Sequence, residues 1–228
     1  MEILRCENLK KTYKDNGVPV NAVNGINLKI TKGEFTVIAG ASGSGKTTLL
    51  NLLGALDHPT SGKVFFYKQD ISSKSRKELA AMRLKNFGFV FQAYNLIPVL
   101  TAIENIEFSM MLLGISEKER RKKALALMEE LGIGELANKR PNEMSGGQQQ
   151  RVAVVRAIVN EPEVVFADEP TANLDSKTGA NLLDLMQEMN EKKNITFIFA
   201  SHDQQVIERG KRLLTLKDGK IIADSNEN

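Results

Sequence analysis

Residues Gly40 to Thr47 read GASGSGKT, with glycines at 40, 43 and 45 ahead of Lys46 and Thr47. Glycines at that spacing let the backbone fold tightly enough for successive N–H groups to converge on an anion. The pattern fits G-x-x-x-x-G-K-[ST], a phosphate cradle when a strand precedes it and a helix follows. In that chemistry Lys46 reaches the β- and γ-phosphates of a nucleotide and the Thr47 hydroxyl holds Mg²⁺. The plainer alternative is a glycine-rich turn that happens to carry a lysine.

A second group stands far downstream. Glu163 to Glu169 read EVVFADE, four small or apolar residues followed by Asp168 and Glu169. A buried strand ending in a carboxylate suits the second Mg²⁺ ligand beside a phosphate loop, which assigns Asp168 to the metal. Glu169, one residue on, can aim past the metal at a water attacking the γ-phosphate. Two solvated acids at a strand end are the bland alternative, weakened by the phosphate loop in the same chain.

The elements that must position these groups follow from hydrophobic period. Phe35–Ala39 is a short continuous apolar run ending in glycine, as for a strand buried on both faces. Leu49 to Leu56 continues as a helix, stopped by the Asp57–Gly62 turn. Before the cradle, Glu2–Leu9 and Val23–Ile30 alternate like half-buried strands, and Thr31-Lys32-Gly33-Glu34 forms a turn. Beyond residue 150, Val164–Ala167 and Thr196–Ala200 read as buried parallel strands with Leu182–Met189 as the helix between them. Leu213–Leu216 and Lys220–Ala223 flank Asp218-Gly219, a hairpin signal. The middle is helical. Leu100–Leu113 is apolar at helical spacing, and Ser116 with Glu119 forms a capping box. Ala124, Leu127, Met128 and Leu131 follow at i, i+3, i+4 and i+7, with Gly132 at the C-terminal cap. The basic run Arg120–Lys123 falls on the opposite face, as a solvated surface. Asp224–Asn228 reads as a frayed tail.

Composition bounds the rest. The chain has 228 residues, 42% hydrophobic and 26% charged, enough for a sizeable core and unlike a disordered chain. A net charge of +3 is too mild to argue for nucleic acid, and none is expected as a partner. One cysteine, Cys6, excludes an internal disulfide and reads as a small packed hydrophobe. Neither a signal peptide nor a run of about 18 apolar residues is visible, which points to a soluble, cytoplasmic protein.

Further residues choose among nucleotide-binding families. Met144–Arg151 reads MSGGQQQR. By itself Ser145 with Gln148 is an S-x-x-Q capping box, and such a helix start is also an anion site. The phrase resembles the LSGGQ signature of ATP-binding cassette (ABC) ATPases. Gln92 in FGFVFQAYNLIP matches that family's Q-loop glutamine, Asn173-Leu174-Asp175 its D-loop, and His202 in ASHD its switch histidine. Tyr13 in KKTYK matches the aromatic that stacks on adenine; alone, Tyr13 and His202 would pass for ordinary packed or surface residues. The ordered set spans nearly the whole chain. GFVFQAYNLIP, TAIENI, SGGQQQRVAVVRA and ADEPTANLDSKTG are most similar to the subgroup serving lipoprotein-release and macrolide-export transporters. Ala41, Met144 and Ala172 depart from its usual proline, leucine and glycine without removing a reacting group.

The resemblance implies an α/β fold: a P-loop NTPase core with a mostly parallel sheet, an N-terminal antiparallel β subdomain and an inserted α-helical subdomain. It implies one domain over 1–228, with core segments 1–92 and 160–228 and a helical subdomain over 93–159. It implies an Mg²⁺-dependent ATPase acting as a head-to-tail homodimer with two ATP molecules at the interface. ATP would contact Tyr13, Gly40, Ser42, Gly43, Ser44, Gly45, Lys46, Thr47 and Thr48 of one chain. Ser145 and Gly147 of the other chain would complete the site, and Gln148 and Asp175 are also expected at the nucleotide. Thr47, Gln92 and Asp168 would serve Mg²⁺, while Glu169, His202, Gln92 and Lys46 act in hydrolysis. A separate membrane permease subunit would dock near Gln92–Leu100 and place the chain on the cytoplasmic face of the inner membrane. Tyr94, Leu96, Ile97 and Pro98 there suit either a contact surface or plain packing of the helical segment. The rival reading is a soluble ABC ATPase acting on DNA or ribosomes, which would carry a long coiled-coil insertion or two fused cassettes. A GTPase-like switch would carry N-K-x-D, where this chain has Asn138-Lys139-Arg140-Pro141.

Overall fold

The computed structural model describes residues 1–15 and 18–226. Two sheets organise it. The first is antiparallel, built from β1 (Glu2–Asp15), β2 (Val18–Thr31), β4 (Ser61–Phe66) and β5 (Gln69–Asp70) in the order β2-β1-β4-β5. The second contains β3 (Phe35–Ala39), β6 (Phe87–Phe91), β7 (Val164–Asp168), β8 (Thr196–Ser201), β9 (Arg212–Lys217) and β10 (Lys220–Asp224). Its order is β10-β9-β3-β8-β7-β6, parallel except for the β9–β10 hairpin. Asp218 and Gly219 at that hairpin both have positive φ, 48° and 72°, as a two-residue turn of this hand requires.

The parallel strands are buried on both faces, and the two-residue period divides them between two cores. Phe35, Val37, Val165, Ala167, Phe197 and Phe199 join one cluster, shared with helices from the middle of the chain. Ile38, Val164, Phe166, Ile198 and Ala200 join the other, under the antiparallel sheet and the helix α1 (Lys46–Leu53). Asp168 has the parity of Val164 and Phe166, which sends its side chain toward α1.

The middle helices are α2 (Arg76–Asn86), α3 (Ala102–Leu112), α4 (Glu117–Glu130) and α5 (Gly146–Ile158), followed by α6 (Ser176–Lys193) and α7 (Gln204–Arg209). Thr101 and Glu104 form a full capping box on α3. At Ser116 half of the expected box is present: Ser116 Oγ accepts from the Glu119 N–H, while its hydroxyl donates to the Glu119 carboxylate. Gly132, φ 65°, ends α4 as its position suggested. Buried Asn105 bonds the backbone of Ile97, Leu100 and Thr101, holding the loop ahead of α3.

Several expectations are corrected. Strand β1 runs on to Asp15, beyond Leu9, because bulges after Cys6 break the alternation while pairing with β2 continues. Helix α1 starts at Lys46 and stops at Leu53, since Gly54 caps it and Ala55 is left-handed. Elements β4, β5, α2 and β6 occupy residues 61–91, so β4 takes in the last two residues of the expected Asp57–Gly62 turn. Leu79 is the buried residue of α2, so that helix has almost no apolar stripe to read. Of the basic run, Arg120 and Arg121 lie 3.8 and 3.7 Å from the buried Glu107 carboxylate and tie α4 to α3. Lys123 pairs with Glu161 at 2.8 Å. The tail is ordered at its start: Asp224 pairs with Arg212 at 2.6 Å and the Ser225 N–H bonds to Leu213 O. Residues 227–228 lie outside the described residues.

Candidate nucleotide site

The cradle forms at the C-terminal end of β3. Gly40, Gly43 and Gly45 have φ of 159°, 79° and 103°. Two of these positions also need the missing side chain. A Cβ on Gly40 would lie 2.3 Å from Leu216 O and 2.7 Å from Ser44 Oγ; on Gly45 it would lie 2.1 Å from Ala22 O. Gly43 by contrast faces open space. Among the described residues, α2 to α7 each begin with a side-chain cap: Ser75, Thr101, Ser116, Ser145, Asp175 and Asp203. Helix α1 has none. Its first-turn N–H groups are left for an external anion, which the helix dipole favours.

A cavity of about 340 Å³ opens over this turn. It is lined by Ser42, Gly43, Gly45, Lys46, Thr47, Thr48, Gln92, Glu169 and His202, with Ala22 from the antiparallel sheet. Lys46 is buried and donates to Gly40 O at 2.8 Å and Ala41 O at 3.1 Å, so its ammonium lies folded into the loop. Thr47 Oγ1 donates to Asp168 Oδ1 at 3.0 Å. Burial pushes the Asp168 carboxyl up, with the neighbouring Glu169 charge adding to the effect against the Thr47 hydrogen bond.

Glu169 sits in the left-handed region at φ 46°, a strained position for a non-glycine residue. Its N–H bonds to Ala200 O at 2.9 Å. Ser201 Oγ donates to Glu169 Oε2 at 2.8 Å, His202 Nδ1 lies 2.7 Å from Oε1, and Lys46 Nζ stands 3.9 Å from that same oxygen. The ends of three parallel strands thus bring a cation, a hydroxyl and an imidazole onto one carboxylate.

Other candidates stand apart from the cavity. Tyr13 is partly exposed; its hydroxyl donates to Asp57 Oδ2 at 2.8 Å, and Lys11 Nζ lies 5.0 Å from its ring centroid. Ser44 is packed behind the loop, its buried Oγ without a hydrogen-bond partner. Ser145 and Gln148 cap each other. A Cβ on Gly147 would come within 2.5 Å of Thr178 Cγ2, and on Gly146 within 2.6 Å of the Tyr94 hydroxyl. These glycines therefore have a packing reason to be small. Asp175 caps α6 by accepting from the N–H groups of Lys177 and Thr178. Ala22, Ser201 and Gln150 belong to the site's surroundings without having been singled out. Ser201 lies in the ASHD phrase and Gln150 in MSGGQQQR, so both had motif neighbours that could have pointed to them, whereas Ala22 had none.

Residues 23–172 match the family model described as ABC transporter. The chain belongs to the ABC transporter family. It is 45% identical over 223 residues to the macrolide export ATP-binding/permease protein MacB of Hyphomonas neptunium, covering 98% of this chain and 34% of that protein. The chain thus spans about a third of the length of such MacB relatives. It is 42% identical to the lipoprotein-releasing system ATP-binding protein LolD of Syntrophus aciditrophicus, over 96% of this chain and 99% of that one. The cassette MJ0796, solved as a dimer in a post-hydrolysis state bound to ADP and Pi, superimposes with a TM-score of 0.91 at 41% identity, covering 98% of both chains. The two sheets and helical insert are therefore the ABC ATPase fold, and the chain is an ATP-binding domain of the subgroup that its sequence phrases resemble. Among the described residues, no helix is long and apolar enough to cross a membrane.

Proposed function

We propose that this ABC ATP-binding domain is the ATP-hydrolysing motor of a membrane transport complex. The observation that carries the reading is the single cavity joining an uncapped helix start, Lys46 and the Glu169–His202 pair. The first turn of α1 and the loop N–H groups bind the phosphates, and Lys46 turns from the loop carbonyls to the β- and γ-phosphates. Glu169 orients and polarises the attacking water, and His202 holds the γ-phosphate. Tyr13 presents its ring to adenine.

The donor set fits Mg²⁺. Thr47 and Asp168 place hard oxygens 3.0 Å apart beside the cavity, and Gln92 lines it. Thr47, Asp168 and Gln92 would hold Mg²⁺ there, and the ion would supply positive charge against the negative charge of the phosphates. Ser145, Gly147, Gln148 and Asp175 line no part of this chain's cavity. That supports their action on the nucleotide of a second copy in a head-to-tail dimer. ATP bridging both halves favours the closed dimer, and loss of the γ-phosphate releases it.

Docking of a membrane permease near Gln92–Leu100 is supported by a second cavity of about 620 Å³. Phe91 and Asn95 line it with apolar walls from Leu84, Phe87, Phe89 and Leu112. Leu96 is partly buried against the core, whereas Pro98 and Val99 are exposed. The chain then works on the cytoplasmic face of the membrane, and its motion drives export, lipoprotein release or mechanical transmission. A tagged Glu169→Gln variant is captured from detergent-solubilised membranes with ATP and Mg²⁺ and analysed by mass spectrometry. Recovery of a multi-span protein is expected. Recovery of soluble proteins or nucleic acid alone would replace the transport reading with that of a soluble ABC ATPase.

A further inference from the structure

Gln150 lies on the signature helix α5 and is fully buried. Its Nε2 donates to Pro170 O at 2.7 Å and stands 3.4 Å from Phe91 O. Two carbonyl oxygens on one side dictate that the amide nitrogen points there, because the reverse orientation would set oxygen against oxygen. Its Oε1 is left buried with no partner. An orphaned buried acceptor is destabilising, and methionine or leucine would fill the same volume without it. The position therefore keeps a polar side chain for its donor.

Both acceptors are adjacent to reacting positions. Pro170 follows Glu169, whose backbone is held at φ 46°. Phe91 precedes Gln92, whose carbonyl is bonded in turn by Asn173 Nδ2 at 3.0 Å. Gln150 is thus a side chain of the signature helix tied to the segments of both the water-orienting glutamate and the Q-loop glutamine. We infer that Gln150 is a positioning residue for hydrolysis, holding the Glu169 and Gln92 segments in fixed register with the signature helix. The inference rests on the hydrolytic role proposed above for Glu169.

Gln150→Met keeps length and volume but loses the donor. Steady-state ATP hydrolysis, nucleotide affinity and thermal unfolding of the full chain are measured for wild type, Gln150→Met, Glu169→Gln and the double variant. The expected result is a kcat lower by about tenfold or more with KM and ATP affinity within about twofold of wild type. In the Glu169→Gln background the same change should lower the residual rate by much less than about tenfold, because the carboxylate that Gln150 positions is already removed and only its hold on the Gln92 segment remains. An unchanged kcat, or parallel loss of affinity and rate with a collapse of Tm, would overturn the inference. So would a further tenfold drop in the double variant. If Gln150→Met does not fold, Gln150→Leu is judged by the same readouts. A wild type without ATPase activity, or a Glu169→Gln variant as fast as wild type, would instead refute the role of Glu169.

Discussion

Thr47, at the start of α1, donates its hydroxyl to Asp168 at the end of β7, 3.0 Å away and 121 positions apart in the chain. Strand parity accounts for the meeting. Asp168 shares its face of the sheet with Val164 and Phe166, the face that α1 covers. The two oxygens proposed to hold Mg²⁺ are thus delivered by the pleat of a buried strand and the first turn of an uncapped helix.

Burial raises the Asp168 carboxyl, so an ionised Asp168 costs folding stability when no cation is present. The sign follows from linkage. Below the ordinary aspartate range both states are protonated and there is no cost; as pH rises, the unfolded chain ionises first and the cost grows until the folded carboxyl has also ionised. Asp168→Asn, which can still accept from Thr47, should therefore raise the Tm of the nucleotide-free protein at neutral pH and converge with wild type in acid. The same variant should lose Mg²⁺-dependent hydrolysis. A Tm at neutral pH equal to or below that of wild type would contradict the burial argument.

Glu169→Gln keeps the size of the side chain and its contact with Ser201 but removes the carboxylate proposed to orient water. Hydrolysis should fall by about 10²- to 10⁴-fold, the usual contribution of a positioned acid–base group. ATP binding should persist, so a dimer should accumulate on a sizing column with saturating ATP and Mg²⁺. A variant that stays monomeric under those conditions counts against the two-chain site.

Arg212 is almost fully buried between Glu34 at 3.0 Å and Asp224 at 2.6 Å, and also donates to Lys29 O at 2.7 Å. Its guanidinium holds Asp224 below the usual carboxylate range. At Glu34 burial pushes upward, but hydrogen bonds from Thr31 and Arg212 outweigh it and the carboxyl again ends below its ordinary value. Depressed folded values mean stability that is present at neutral pH and lost as pH falls through those values. Arg212→Met should cost a few kcal/mol at pH 7, since it leaves two partly buried carboxylates uncompensated. Its denaturant-derived stability should also change less than that of wild type on acidification. Equal acid limbs in the two proteins would assign the acid sensitivity to other groups.

Burial pushes the Cys6 thiol up to about 12, with its Sγ 3.6 Å from Ile26 O. The thiolate is the reactive form, so native Cys6 should resist alkylation at pH 8. Modification should track denaturant unfolding. Rapid labelling of the folded protein would show that β1 opens locally from the sheet.

Local order legible in the sequence ends where local causes end. The phosphate loop was readable because positive φ at Gly43 and Gly45 leaves few alternatives to glycine. Asp218-Gly219 was readable because its turn demands left-handed residues. Buried strands announced themselves as continuous apolar runs, and family phrases marked Gln92, Ser145 and His202. Helix α2, with one buried residue, offered no period, and bulges in β1 masked its continuation to Asp15. The strand order β9-β3-β8-β7-β6 decided the rest. It places β8 between β3 and β7, so Ser201 and His202 reach Glu169, and it seats α5 so that Gln150 reaches Pro170. Those contacts join residues too far apart for any local pattern to record, and their energy exists only once the sheet has closed its loops.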